Sequence, residues 1–489
     1  MLIGVRWVQR TSNLYTFRQG ERRSKGAVII MFPAMLLLIL ALMGLAVDAS
    51  RLYNRKVELQ AVADFAAISA AENLVGTEAG IDAALAAAGA ATGVQKFKYS
   101  KSTVSWSDSA IRFSASPDSG WMDAGSAKSS PGSVRFVKVD TRDLAGDPGK
   151  IDLIIMKMVP SSMTTANTSA TAVAGRSMLN LTPLAICAMS DSAAASRPPS
   201  GELVEYGFRR GVAYDLMQLN SHGTSPVSFA VNPIDLASAA GAAGNTSPNV
   251  LGPFVCTGTM PAVASVGQNV HVSTPFPIAA LFDNLNSRFG DYTAGACDYH
   301  SAPPDTNIKH FVYSAGTSWM KVVPSGQSAQ SLTSAGRLHT VADPDPHPAT
   351  NTAGHYGQLW SYAKPVPFSA YSAGVSEPIA GYAPFDKSVW PNLYSPGLPE
   401  PKPNYPIDTP YMSGGAQHLG PSVAYGRPLR RRRVLNLPLV QCPVAGSSAT
   451  VLAIGRFFMT VPATASSLQA EFAGIASEQA FRGPVELFQ

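Results

Sequence analysis

Uncharged residues run without a break from Gly26 to Val47, and beyond them the chain changes to a repeat in which small apolar residues recur every three or four positions. The first stretch, about 22 residues, matches the roughly 20 that an α-helix needs to cross a bilayer, and predicts a transmembrane helix over 26–47. In the second, Leu59, Val62, Ala63, Ala66, Ala67, Ala70, Ala71 and Leu74 fall on one continuous helical face, while Gln60, Asp64, Ser69 and Asn73 fall off it. The pattern predicts an amphipathic, alanine-rich helix over 48–92. Its small side chains permit close approach of a neighbour, and that neighbour is either the chain's own domain or another subunit.

After Gly93 the period shortens to two. Runs such as "STVSWSDSAIRFSAS" and "SVRFVKVD", separated by Pro, Gly, Ser and Asp, read as strands joined by turns. "IDLIIMKMV" fits a buried strand or a helix, and "TTANTSATAVAGRSM" alternates like a strand. These elements predict a small α+β unit over 93–178, followed by a β-rich exterior domain over 179–340. Residues 341–430 are dense in Pro, Gly and Ser, yet Tyr356, Trp360, Tyr362, Phe385, Trp390, Tyr394 and Tyr411 recur through them. A free linker would have few aromatics, so the segment predicts an ordered, irregular excursion packed on the surface. Strands over 431–489, with "ASSLQAEFAGIA" as a short helix or loop, complete the exterior domain. The fold class is α+β.

Charge orients the anchor. Arg6, Arg10, Arg18, Arg22, Arg23 and Lys25 precede the apolar run and only Arg51, Arg55 and Lys56 follow closely, which puts a basic tail, 1–25, in the cytoplasm and the rest outside. Gly44, Leu45 and Ala46 would suit signal-peptide cleavage, but the run exceeds the usual length of such a segment, which favours an uncleaved anchor. With 46% hydrophobic residues among 489, the chain can form a sizeable core; a net charge of +5 with scattered Lys and Arg gives no case for nucleic acid. The cluster Arg427, Arg430, Arg431, Arg432 and Arg433 reads as a solvated loop before the strand "VLNLPLVQC", or else as a patch for phosphate or anionic lipid.

The basic start, Gly26 at the membrane edge, "GLAVDASRLY" and "LQAVADFAAISAA" together resemble the N-terminal signature of the TadE/TadG-like proteins of tight-adherence (Flp, type IVb) pilus assembly, with Asp48, Leu59, Gln60, Asp64 and Ala67 at characteristic positions. Processed pseudopilins carry Glu five residues after the glycine; Met31 stands there instead, so the resemblance is to the anchored, TadG-like branch. It implies a single-pass protein of the bacterial inner membrane that acts through contacts with pilus or secretion-apparatus proteins, with a homo-oligomer as one open arrangement. The alternatives are an anchored surface adhesin or binding module and, behind it, a membrane-tethered enzyme.

Four cysteines, Cys187, Cys256, Cys297 and Cys442, all follow the membrane segment. An even count outside the cytoplasm predicts two disulfides, and three connectivities are open. Cys256 and Cys297 bracket one compact segment, which favours joining them and leaves Cys187 for Cys442. No C-x-x-C, G-x-S-x-G or phosphate-binding glycine loop occurs. Asp343, Asp345 and His347 lie in a proline-spaced loop that does not fold them around an ion. No catalytic residue, metal site or cofactor is expected.

Overall fold

The computed structural model describes residues 25–74, 78–97, 102–131, 134–156, 164–176, 178–234, 245–261, 266–311, 328–329, 331–340, 356, 358–375, 377–378, 380–394, 409–477, 483 and 485–488. The cytoplasmic tail up to residue 24, His355 and the loop with Asp343, Asp345 and His347 lie outside these residues.

One helix, α1, runs from Lys25 to Glu72 over 48 residues. At 1.5 Å per residue it is about 72 Å long. No Gly or Pro interrupts it after Gly44, and its Ala- and Leu-rich sequence favours the helix throughout, so the apolar and amphipathic halves are continuous. It stops near Asn73, whose amide donates to the Ser69 carbonyl at 2.8 Å. The helix expected over 48–92 is therefore two: a second, α2, spans Glu78–Val94 and packs along the first through Ile81, Ala84 and Ala88.

Both helices cover one face of a four-stranded antiparallel sheet ordered Glu486–Phe488, Thr171–Gly175, Phe136–Asp140, Ile111–Ser114. Alternate residues Val137, Val139, Ala172 and Ala174 face the helices, as the period of two requires. The edge strand Glu486–Phe488 comes from the far end of the chain. The C-terminal segment thus divides between two bodies instead of completing the exterior domain alone.

The larger body is built on seven strands in the order Ala213–Asp215, Gln469–Ile475, Ser448–Met459, Asn269–Ser273, Phe229–Val231, Leu184–Cys187, Val434–Val440. The last also pairs with Ser448–Met459, which closes five strands into a ring. The ring is antiparallel except where Val434–Val440 meets Leu184–Cys187 in parallel. "SLQAEFAGI", expected as helix or loop, supplies the strand Gln469–Ile475. Leu184 and Ile186 point into the main apolar cluster, Ala185 and Cys187 into a second. Both faces of this strand are buried, so hydrophobic residues occupy all four positions.

The aromatic-rich excursion enters the core instead of lying on the surface. Tyr356, Trp360 and Tyr394 are fully buried in the main cluster. Tyr356 and Tyr394 flank Arg209, whose guanidinium pairs with Glu202 at 2.8 Å, both side chains wholly buried. A buried charge demands such a partner.

Candidate functional site: the anchor helix and its cradle

From Met31 to Val47 the side chains of α1 are exposed, with Gly44 the exception. This is the one helix among the described residues that is long and apolar enough to cross a membrane.

Past that stretch, α1 meets the rest of the chain through two sets of residues. The apolar face Leu59, Val62, Ala63, Ala66, Ala67, Ala70, Ala71 and Leu74 is buried throughout. From Ala63 to Leu74 it packs on α2 and on the four-stranded sheet; Val62 sits against Val104, Ala110 and Leu144. Of the two neighbours left open by the sequence, the chain's own domain occupies this face.

The second set is polar and continues the same side of α1 toward the apolar stretch. Gln60 donates to the Thr171 carbonyl at 3.1 Å and to the Asp64 carboxylate at 2.7 Å, so Asp64 fixes the amide that holds the sheet. Arg55 Nη1 donates to the Pro148 carbonyl at 2.7 Å and Arg51 Nη1 to that of Asp152 at 2.8 Å. Asp48, 2% exposed, accepts three backbone N–H groups: Ile154 on Oδ1 at 3.0 Å, and Ile155 and Met156 on Oδ2 at 3.1 and 3.0 Å. These donors, Ile154 first, hold its carboxyl below the usual range, with Arg51 adding to the effect. A hairpin, Lys150–Asp152 paired with Thr165–Asn167, is thereby clasped along the helix, and Ile155 rests on Gly44. A Cβ at Gly44 would collide with that isoleucine. Gly26, the remaining residue of the resemblance, lies in the first turn of α1.

Opposite the cradle, Tyr53, Val57 and Phe65 are exposed at 69%, 51% and 46%, with Ala61 between them. Their spacing of four and eight residues aligns them in one stripe that prolongs the apolar stretch. Hydrophobic periodicity marks the other face; this stripe is hidden in the sequence because Asn54, Lys56 and Glu58 are interspersed with it.

Two disulfides brace the larger body. Cys187–Cys442 ties the end of the strand Leu184–Cys187 to the turn just after its parallel neighbour Val434–Val440, and Cys256–Cys297 ties the helix Pro248–Thr257 to the segment after the helix Ile278–Asn286. This is the pairing favoured by the spacing.

The arginine cluster is not a solvated loop as a whole. Arg433 is buried between the rings of Phe289 and Phe458 and donates to the carbonyls of Asn307, Lys309, Met459 and Thr460. Arg432 donates to Cys256, Thr257 and Pro303. Arg427, Arg430 and Arg431 are exposed. Among the histidines, His222 Nδ1 lies 2.9 Å from Ser221 Oγ, but the serine proton goes to the Ala188 carbonyl at 2.7 Å. That leaves the ring to donate, the reverse of what a general base requires.

Residues 26–73 match the family model of the TadE/G-like Flp pilus-assembly domain. The matched span covers the apolar stretch, the cradle contacts and the packed alanine face. Neither the curated proteins nor the solved structures give a match to this chain.

Proposed function

We propose that the protein is a membrane-anchored structural component of a tight-adherence (Flp, type IVb) pilus or its secretion apparatus, of the TadG-like kind, and that it acts by contact without catalysis. The apolar stretch crosses the bacterial inner membrane with residues 1–25 in the cytoplasm, consistent with the excess of Arg and Lys before it. The two bodies stand on the outer side.

The observation that carries this reading is the coincidence of the matched span with a helix that serves two surfaces. One side is consumed by the cradle. The other keeps Tyr53, Val57 and Phe65 exposed in line with the membrane stretch, where an apolar helix of a second single-pass subunit in the same bilayer continues its packing without a break. Rigid attachment of the exterior bodies then lets a lateral contact set their height and orientation above the membrane.

Complementation of a deletion strain tests it, with surface pili and membrane abundance as readouts. The wild-type gene is expected to restore pili, and Tyr53→Lys with Phe65→Lys to abolish them at normal abundance. Normal piliation of the deletion strain, with loss of binding to a host or abiotic surface, would establish the adhesin alternative instead.

A further inference from the structure

Beside the ring, between the strand Val434–Val440 and the end of the helix Pro248–Thr257, lies a cavity of about 420 Å³ lined by Arg288, Arg430, Arg431, Arg432 and Arg456. Among the described residues no carboxylate lines it. We propose that this cavity binds a small soluble anion bearing a tetrahedral oxyanion group, a phosphate or a sulfate.

Two of the arginines form its floor. Arg432 donates to the Cys256 and Thr257 carbonyls and Arg288 Nη2 to that of Val255 at 2.9 Å, so both guanidinium groups sit on the carbonyl end of one helix. Arg288 Nη1 also reaches the Asn284 and Leu285 carbonyls at 3.5 Å, at the end of the helix Ile278–Asn286, and two helix termini of roughly half a negative charge each offset only part of two guanidinium charges. Burial lowers the pKa of both, and Arg432 lowers that of Arg288 further. Arg288 Nε is buried with no hydrogen-bond partner among the described residues. At the helix end, Gly258 stands at φ +72°, and a Cβ there would come within 2.9 Å of Arg288 Nη2 and 3.3 Å of Arg432 Nη1. The absence of a side chain keeps the floor open.

The mouth is equally built. Arg431 holds φ +67°, a left-handed backbone rare for a residue with a side chain. Its N–H donates to Tyr411 Oη at 2.9 Å, and that hydroxyl donates to the buried Asp305 at 2.7 Å. Backbone strain of this kind persists only where its surroundings enforce it. Among the described residues Arg430 Nη2 meets only Met412 Sδ, at 3.2 Å. On the far wall, Arg456 gives Nη2 to Glu377 at 3.2 Å while its Nε is buried without a partner among the described residues. Of the acids close by, Asp305 accepts the N–H of Arg433 and Asn307 besides Tyr411, and Glu377, which meets Arg456 of the wall, is shared with Arg210. Forked guanidinium donors match tetrahedral oxyanions in geometry as well as charge, and the volume is that of a small-molecule site.

Calorimetric titration of the full-length chain in detergent with pyrophosphate and with sulfate, at constant ionic strength, tests the site. Saturable binding of at least one is expected. The double variant Arg430→Gln/Arg431→Asn is expected to weaken it at least tenfold without lowering the melting temperature. Arg427→Gln, an exposed arginine outside the cavity, is expected to leave it unchanged. Asn436→Asp, which puts a carboxylate in the lining from a ring strand, is expected to weaken it as strongly and guards against a fault in the double variant's folding. No saturable binding of either anion, equal loss in Arg427→Gln, or undiminished binding in both cavity variants would overturn the proposal.

Discussion

Replacing Asp48 by alanine removes the acceptor of three backbone N–H groups, those of Ile154, Ile155 and Met156. The hairpin should detach from α1 and the amide protons of these residues should exchange at least about tenfold faster, while membrane insertion is unaffected because the apolar stretch is unchanged. Gly44→Ala should loosen the same contact from the other side by displacing Ile155. Asp48 also sets a pH dependence. Its folded pKa lies below the unfolded value, so the clasp contributes fully above the ordinary Asp value and is lost as pH falls through the lower folded one. Glu471 acts in the opposite sense. Burial raises its pKa from 4.5 to about 7, against the N–H groups of Ala363, Tyr362 and Ser361 that favour the carboxylate. Between those values the folded state holds a proton that the unfolded state has released, so stability should fall as pH rises from 4.5 to about 7. Melting temperature against pH measures this, and Glu471→Gln should flatten that part of the profile. The part of the site in Asp48, Gln60 and Asp64 was legible through resemblance, but its chemistry was not. The partners that Asp48 and Gln60 hold on the domain lie about a hundred residues away, and nothing in the local sequence names a backbone N–H as the ligand of a carboxylate.

At the scale of the element, the alanine face was legible because helical period and side-chain size are both local properties. Its neighbour was not. Ala67 is fully buried against the sheet and α2, so Ala67→Leu should destabilise the smaller body by about 1 to 3 kcal/mol through overpacking, with a lower melting temperature and lower abundance. Ser69→Leu, off the face and half-buried, should be tolerated. The end of α1 escaped the periodicity because apolar residues recur on both sides of it, although Asn73 and Gly76 are the residue types that end helices. The strand Gln469–Ile475 was obscured because Ala470, Phe472 and Ala473 are all buried, and alternation fails where both faces of a strand are covered. Arg432 and Arg433 were misread for a related reason. Charge predicts exposure only where no concave set of carbonyls is waiting, and the carbonyls here come from three separate segments of the chain, around Thr257, Pro303 to Lys309, and Met459.

Across the whole molecule, the chain leaves the smaller body, forms the ring, and returns through Glu486–Phe488 to pair with Thr171–Gly175. The two bodies are therefore joined at both ends of the intervening segment, which resists independent swinging more than a single linker would. The disulfides span sequence separations of 255 and 41 residues. In the chain-entropy model closures of these lengths stabilise by about 5.5 and about 4 kcal/mol respectively. Reduction should lower the melting temperature of the ring body by more than ten degrees and leave that of the helix-covered sheet nearly unchanged, which differential calorimetry of the intact chain resolves. The long apolar helix followed by a β-rich, disulfide-bonded region was legible from hydropathy and cysteine context; the closure of the ring was not, since pairing between Leu184–Cys187 and Val434–Val440 joins segments with no sequence relation.

The proposed role requires an anchor that holds the disulfide-bonded body outside the cytoplasm. Single cysteines introduced at Ser12→Cys and His300→Cys, probed in intact cells with a maleimide that does not cross the inner membrane, test this directly. The native cysteines are closed in disulfides and do not compete. His300→Cys should label at once, and Ser12→Cys only after the inner membrane is permeabilised. Labelling of Ser12→Cys in intact cells with protection of His300→Cys would contradict the orientation and with it the proposed role.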